Sequence, residues 1–173
     1  MKRIAFILPL FAAVAATPAF AHITLQVQQA APGSSFKAVF RVPHGCDGAA
    51  TTGVKIQIPE GFVAAKPMPH AGWTLDTKSG DYARSYKLYG ADVKSGVTEV
   101  DFAGGKLPDA WYDEFVVTGT VADSFKPGDR MFFPVVQECG TAADRWIEIP
   151  KDGQQIDDLK RPAPHLDIVA TPQ

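Results

Sequence analysis

From residue 22 onward, apolar and polar residues alternate in short runs. In "ITLQVQ", Ile23, Leu25 and Val27 share one face and Thr24, Gln26 and Gln28 the other. "FKAVFRV" sets Phe36, Ala38, Phe40 and Val42 inward, and "VKIQI" does the same with Val54, Ile56 and Ile58. A period of two is the signature of a strand with one buried face. "APGSS" and "PEG" supply turns between these runs. Further strands are expected in "WTLDT", "ARSYKLYG", "VTEVDFAG", "DEFVVTGTVA", "RMFFPVVQ" and "RWIEI". The last places Ile147 and Ile149 on one face, and so Trp146 and Glu148 on the other. The one weak helix candidate, "LPDAWYDEF", is too short to change the class. Many short strands punctuated by glycine and proline predict an all-β chain, an antiparallel β-sandwich of immunoglobulin-like arrangement. After Pro150 the pattern fades. Residues 151–173 read as a charged, proline-containing tail, in which "LDIVA" can add a short edge strand.

The first 21 residues follow a different rule. Lys2 and Arg3 precede an apolar stretch too short to cross a bilayer, and Ala19-Phe20-Ala21 forms a small-x-small cleavage site. Residues 1–21 are therefore expected to be a secretory signal. Cleavage leaves a mature chain that starts at His22 and holds 152 of the 173 residues, one domain with length enough for a core. The leader takes two basic residues and no acid with it, so the net charge moves from −2 to −4. A mildly acidic surface gives no footprint for nucleic acid. No other apolar run approaches membrane-span length, and no cysteine follows the cut to take a lipid anchor. The expected location is the periplasm.

Cys46 and Cys139 are the two cysteines. In an oxidising compartment such a pair reads first as a disulfide and second as a thiolate metal site.

The cut before His22 changes the chemistry of that residue. By period two, His22 lies with Thr24 and Gln26, off the core face. Once freed, its α-amine and its Nδ1 can close a small chelate ring on one metal ion. Both are nitrogen donors of the kind that suit Cu(II), which tops the divalent affinity series. Without that chemistry His22 is an accident of the cleavage site. Two further features bear on the choice. An outward Trp146 either packs under a loop or shields a site. If "ITLQVQ" and "FKAVFRV" form a hairpin, His22 lies beside Val42 and Pro43, close to His44 and Asp47 in "VPHGCDG". Asp47 then offers a carboxylate, or else serves with Gly48 as a simple turn pair. A Cys46–Cys139 bond would pin this corner to the strand end leading into "RWIEI". Met68, His70 and His165 are weaker ligand candidates. Trp73 and Trp111 read as structural.

Taken in order, "HITLQ", "FRVPHGCDG", "TTGVKIQIPEGF", "KPMPHAGWTL", "YDEFVVTGTV" and "FPVVQEC…RWIEIP" resemble the YcnI-like family, over about residues 22–150. That resemblance implies an exported, copper-binding immunoglobulin-like sandwich, often encoded with copper-transport genes. It also implies a mono-histidine brace: the amine and imidazole of the mature first residue, an acidic side chain and a nearby tryptophan. His22 matches the first residue and Trp146 the tryptophan. Asp47 is the match for the acidic ligand, with Glu148 and Glu138 in reserve and His44 as a further candidate. The "HGC…QEC" pair resembles a version found in Gram-negative members. The function implied is that of a non-enzymatic Cu(II) chaperone, scavenger or store, with copper-transport proteins as partners. Two rivals stand beside it. One is a histidine-brace copper monooxygenase acting on polysaccharide, which would need His44 as its second histidine. The other is an adhesion sandwich with no metal.

Overall fold

A computed structural model describes residues 22–171, so the expected signal segment lies outside the described residues. The strands are β1 (Thr24–Leu25), β2 (Gln29–Ala30), β3 (Ser35–Val42), β4 (Thr51–Gln57), β5 (Phe62–Pro67), β6 (Thr74–Leu88), β7 (Ala91–Leu107), β8 (Asp113–Val121), β9 (Arg130–Phe132), β10 (Val135–Cys139), β11 (Ala142–Trp146) and β12 (His165–Ile168). They form a four-stranded sheet in the order β1-β3-β8-β5 and a five-stranded sheet in the order β11-β10-β4-β7-β6. A small sheet, β2-β12-β9, closes one side. Every pairing is antiparallel except β2 with β12.

The alternating residues build the core as their spacing requires. Phe36, Ala38, Phe40 and Val42 of β3 are buried, as are Val54 and Ile56 of β4 and the following Ile58. Phe40, Phe62 and Phe133 meet edge to face at 5.3–5.5 Å between the sheets, an arrangement that favours aromatic pairs beyond simple area burial. "LPDAWYDEF" forms a turn, closed by the Trp111 N–H on the Pro108 carbonyl at 2.9 Å, before β8 begins. The 3-10 turn Ile156–Asp158 is the helical element among the described residues.

Two expectations are corrected here. "ITLQVQ" is not one strand. Ile23 and Leu25 are buried, but Val27 is 53% exposed, because the chain leaves β3 after Leu25 and re-pairs as β2 with β12. The C-terminal segment is not a solvated tail with an edge strand. β12 is the centre of its sheet, with Leu166 and Ile168 fully buried, so the domain extends past residue 150 to 168. The charged stretch 151–161 hides this from a pattern read along the chain.

His165 marks where this segment meets the body. Its ring lies 6.1 Å from that of Phe132. Burial holds its pKa below the ordinary imidazole value of 6.5, with Arg130 adding to the shift and Asp167 opposing it. The unfolded chain therefore takes up this proton first as pH falls. The stability tied to neutral His165 is complete above about pH 6.5 and declines as the solution is acidified through that value and the lower folded one. Thermal melts between pH 7.5 and pH 5 should show wild type losing more stability than His165→Gln. Parallel curves would contradict it.

Candidate metal centre

His22 stands at the head of β1. Burial of Ile23 and Leu25 fixes this strand end, which pairs antiparallel with the second half of β3 through Thr24↔Arg41 and Leu25↔Phe40. The expected antiparallel pairing of these two segments is therefore present. His22 is half-buried, with its Nε2 shielded from solvent. Its ring meets the Trp146 indole at 5.4 Å between centroids, with the planes at 77°.

The structure reverses the expected faces of "RWIEI". Trp146 is buried at 6% exposure, while Ile147 and Ile149 are 43% and 49% exposed. The reason is register. Trp146 pairs with Val135, and Val135, Gln137 and Cys139 all point inward from β10. β11 ends at Trp146, and the next residues follow the C-terminal segment: Glu148 N–H donates to the Arg161 carbonyl at 3.0 Å, and Ala163 N–H to the Glu148 carbonyl at 2.9 Å. A buried indole N–H needs an acceptor. Trp146 Nε1 donates to Gln137 Oε1 at 3.0 Å. Gln137 is 1% exposed, and its Nε2 donates to the His44 carbonyl at 2.6 Å and to Thr51 Oγ1 at 2.8 Å. Sequence reasoning missed Gln137. The available signal was a polar residue at an inward position two before a cysteine.

Cys46 and Cys139 are disulfide-bonded, with Cα atoms 5.9 Å apart, as the oxidising-compartment reading expected. Beside the bond, Cys46 and Ala49 exchange backbone hydrogen bonds across Asp47-Gly48, whose φ values are 47° and 86°. This is a type I′ turn, the geometry that an Asp-Gly pair favours. Asp47 therefore sits at an exposed turn tip. Gly45 is buried, and its N–H donates to Asp109 Oδ1 at 3.0 Å. A Cβ at residue 45 would collide with the Ala49 carbonyl, which is backbone and cannot swing aside. Gly45→Ala should cost about 1–3 kcal/mol, the usual range for forced overpacking. Urea unfolding reads it, and an unchanged midpoint would contradict the packing.

The other candidates lie apart. Glu138 points to the outer face of its sheet, opposite to Gln137, and binds Lys55 Nζ at 2.7 Å; this bond raises the Lys55 pKa. Glu148 accepts the N–H groups of Lys160 and Arg161 at 2.9 and 3.0 Å, and so fastens the C-terminal segment. His44 places Nδ1 on the Gly45 carbonyl and gives its own carbonyl to Gln137. His70 binds Asp113 Oδ2 at 2.9 Å and lies over Phe115 at 4.8 Å, while Met68 is 47% exposed. Trp73 packs on Phe115 at 4.8 Å, and Trp111 is 65% exposed. Asp144, two residues before Trp146 and inward with it by strand parity, was not anticipated; it binds the Arg161 guanidinium.

His22 opens on a cleft of about 250 Å³, bordered by Thr24, Gln28, Asp157, Pro164 and His165. Among the described residues, no three His, Cys, Asp or Glu side chains gather as a metal-binding set. A brace would draw instead on one imidazole and a main-chain amine. The shielding of Nε2 fits that donor set, because Nδ1 is the ring nitrogen that chelates with the amine.

The architecture defines an immunoglobulin-like β-sandwich. Over 86% of its length the chain is similar to 98% of an uncharacterized protein from Nocardia farcinica whose crystal structure reveals an immunoglobulin-like fold, with a TM-score of 0.61 and 22% identity. At that identity the likeness speaks for the fold alone. No curated protein matches the chain. Residues 22–168 match the family described as "Domain of unknown function (DUF1775)", and the chain belongs to it. YcnI-like proteins form this family. Among the described residues no helix is long and apolar enough to cross a membrane.

Proposed function

We propose that this protein is an exported Cu(II)-binding protein of the periplasm, a chaperone, scavenger or store that binds and releases copper without turnover. Signal cleavage before His22 would expose the amine that closes the chelate with Nδ1. The observation that carries the reading is the placement of His22: at the start of the first strand, half-buried, with its ring edge-on to a buried tryptophan. A chain end held in this way loses little further freedom when it binds a metal. Trp146 contributes a shielding wall rather than a donor, since the indole N–H is committed to Gln137. Of the acidic candidates, Asp47 is the one kept for the carboxylate ligand. It stands on the His44–Cys46 corner, whereas Glu138 and Glu148 are engaged elsewhere. Copper is cargo in this scheme, and copper-transport proteins are the partners it implies.

The test is Cu(II) titration of correctly cleaved protein against a competing chelator, followed by electron paramagnetic resonance. Tight binding of one ion, with hyperfine structure from two nitrogens, is the expected result. Affinity no better than that of a protein lacking His22 would overturn the reading.

A further inference from the structure

Gln137 and Thr51 are the buried polar side chains among the described residues. Buried amides cost stability unless they are hydrogen-bonded, and elsewhere an apolar pair of similar shape can replace a hydrogen-bonded side-chain pair with little loss. What an apolar pair lacks is direction. The Gln137 amide joins three parts of the fold. Its Oε1 takes the Trp146 indole N–H at 3.0 Å. Its Nε2 grips the His44 carbonyl at 2.6 Å and Thr51 Oγ1 at 2.8 Å. Two residues further along β10, Cys139 is bonded to Cys46, two residues after His44. The indole that receives this alignment is the one against which the His22 ring is set.

We infer that Gln137 is a positioning residue. It fixes the plane of Trp146 against the disulfide-pinned corner, and through Trp146 it fixes the orientation of the His22 imidazole before any metal arrives. Hydrogen bonds made directly to a ligand are worth about 10–100-fold in metal binding; Gln137 acts one contact further out, through the Trp146 ring, so its effect is expected at the lower end of that range. The metal half of this inference rests on the copper reading; the orientation half does not.

The experiment therefore has two arms, on cleaved, disulfide-bonded protein. In the metal-free arm, nuclear magnetic resonance follows the His22 ring protons, which the Trp146 ring current displaces. Trp146→Leu sets the value without that displacement. Gln137→Met should move the shifts toward that value and broaden them, with the far-UV circular dichroism unchanged. In the metal arm, the same variant should bind Cu(II) up to about tenfold more weakly and give a mixture of paramagnetic signals in place of one. Thr51→Val, which removes one anchor of the amide, should shift the His22 protons in the same direction by less. If Gln137→Met fails to fold, Thr51→Val decides the matter. His22 shifts unchanged in the folded variant overturn the inference, whatever happens to affinity. Shifts that move in a protein whose wild type binds no Cu(II) uphold the positioning role and reject the copper reading instead.

Discussion

Placing one alanine in front of His22 should weaken Cu(II) binding almost as much as His22→Ala. The extension leaves every native side chain intact, including the ring that meets Trp146 at 5.4 Å. It moves only the α-amine, which then lies one residue away and is replaced at His22 by an amide nitrogen that gives up its proton far less readily. A chelate that loses one of two nitrogens loses more than an outer hydrogen bond supplies, so the affinity should fall by at least about 100-fold. Asp47→Ala should cost less, since a carboxylate is a weaker donor to Cu(II) than either nitrogen. Competition titration of the four proteins, each checked for folding, gives the order directly. If the extended protein binds as tightly as the native one, the amine is not a ligand.

The second large effect concerns the fold. Replacing Cys46 and Cys139 together by alanine should lower the free energy of unfolding by about 4–5 kcal/mol in the loop-closure picture, because the bond spans 93 residues of sequence. Both cysteines are 4% exposed, and alanine avoids leaving two thiols where one bond was. The same change should loosen the turn Cys46–Ala49 and the His44 carbonyl that Gln137 holds. Copper affinity should therefore fall along with stability, although neither cysteine is proposed as a ligand. Urea unfolding followed by tryptophan fluorescence measures the first effect and chelator competition the second. A loss under about 1 kcal/mol would mean that packing around Thr51 and Gln137 holds the corner without the bond, well short of the loop-closure value.

Much of this architecture is legible in the order of residues. "FKAVFRV" and "VKIQI" show their buried faces because each strand packs one side on the core, and period-two alternation has no other stable use. Asp47-Gly48 and the cysteine pair are legible too: left-handed turn geometry, and the oxidising compartment that a secretory leader would imply, restrict them to few outcomes. The pairing of β1 with β3 also follows from a hairpin drawn on paper. The faces of "RWIEI" come out opposite to expectation because the two alternate isoleucines, Ile147 and Ile149, carry parity but no origin. Which face is inward depends on the partner strand, and Trp146 is inward because it pairs with Val135. The fate of β12 was hidden for a related reason. A four-residue strand following a charged loop owes its burial to β2 and β9, which lie far from it in sequence. The sequence by itself thus determined the class of fold and the pairing of the two cysteines, both of which rest on local periodicity and covalent chemistry. Only the tertiary structure decided that Trp146 meets His22, that Gln137 accepts its indole N–H, and that Glu138 and Glu148 are committed elsewhere, because each depends on which strands lie side by side.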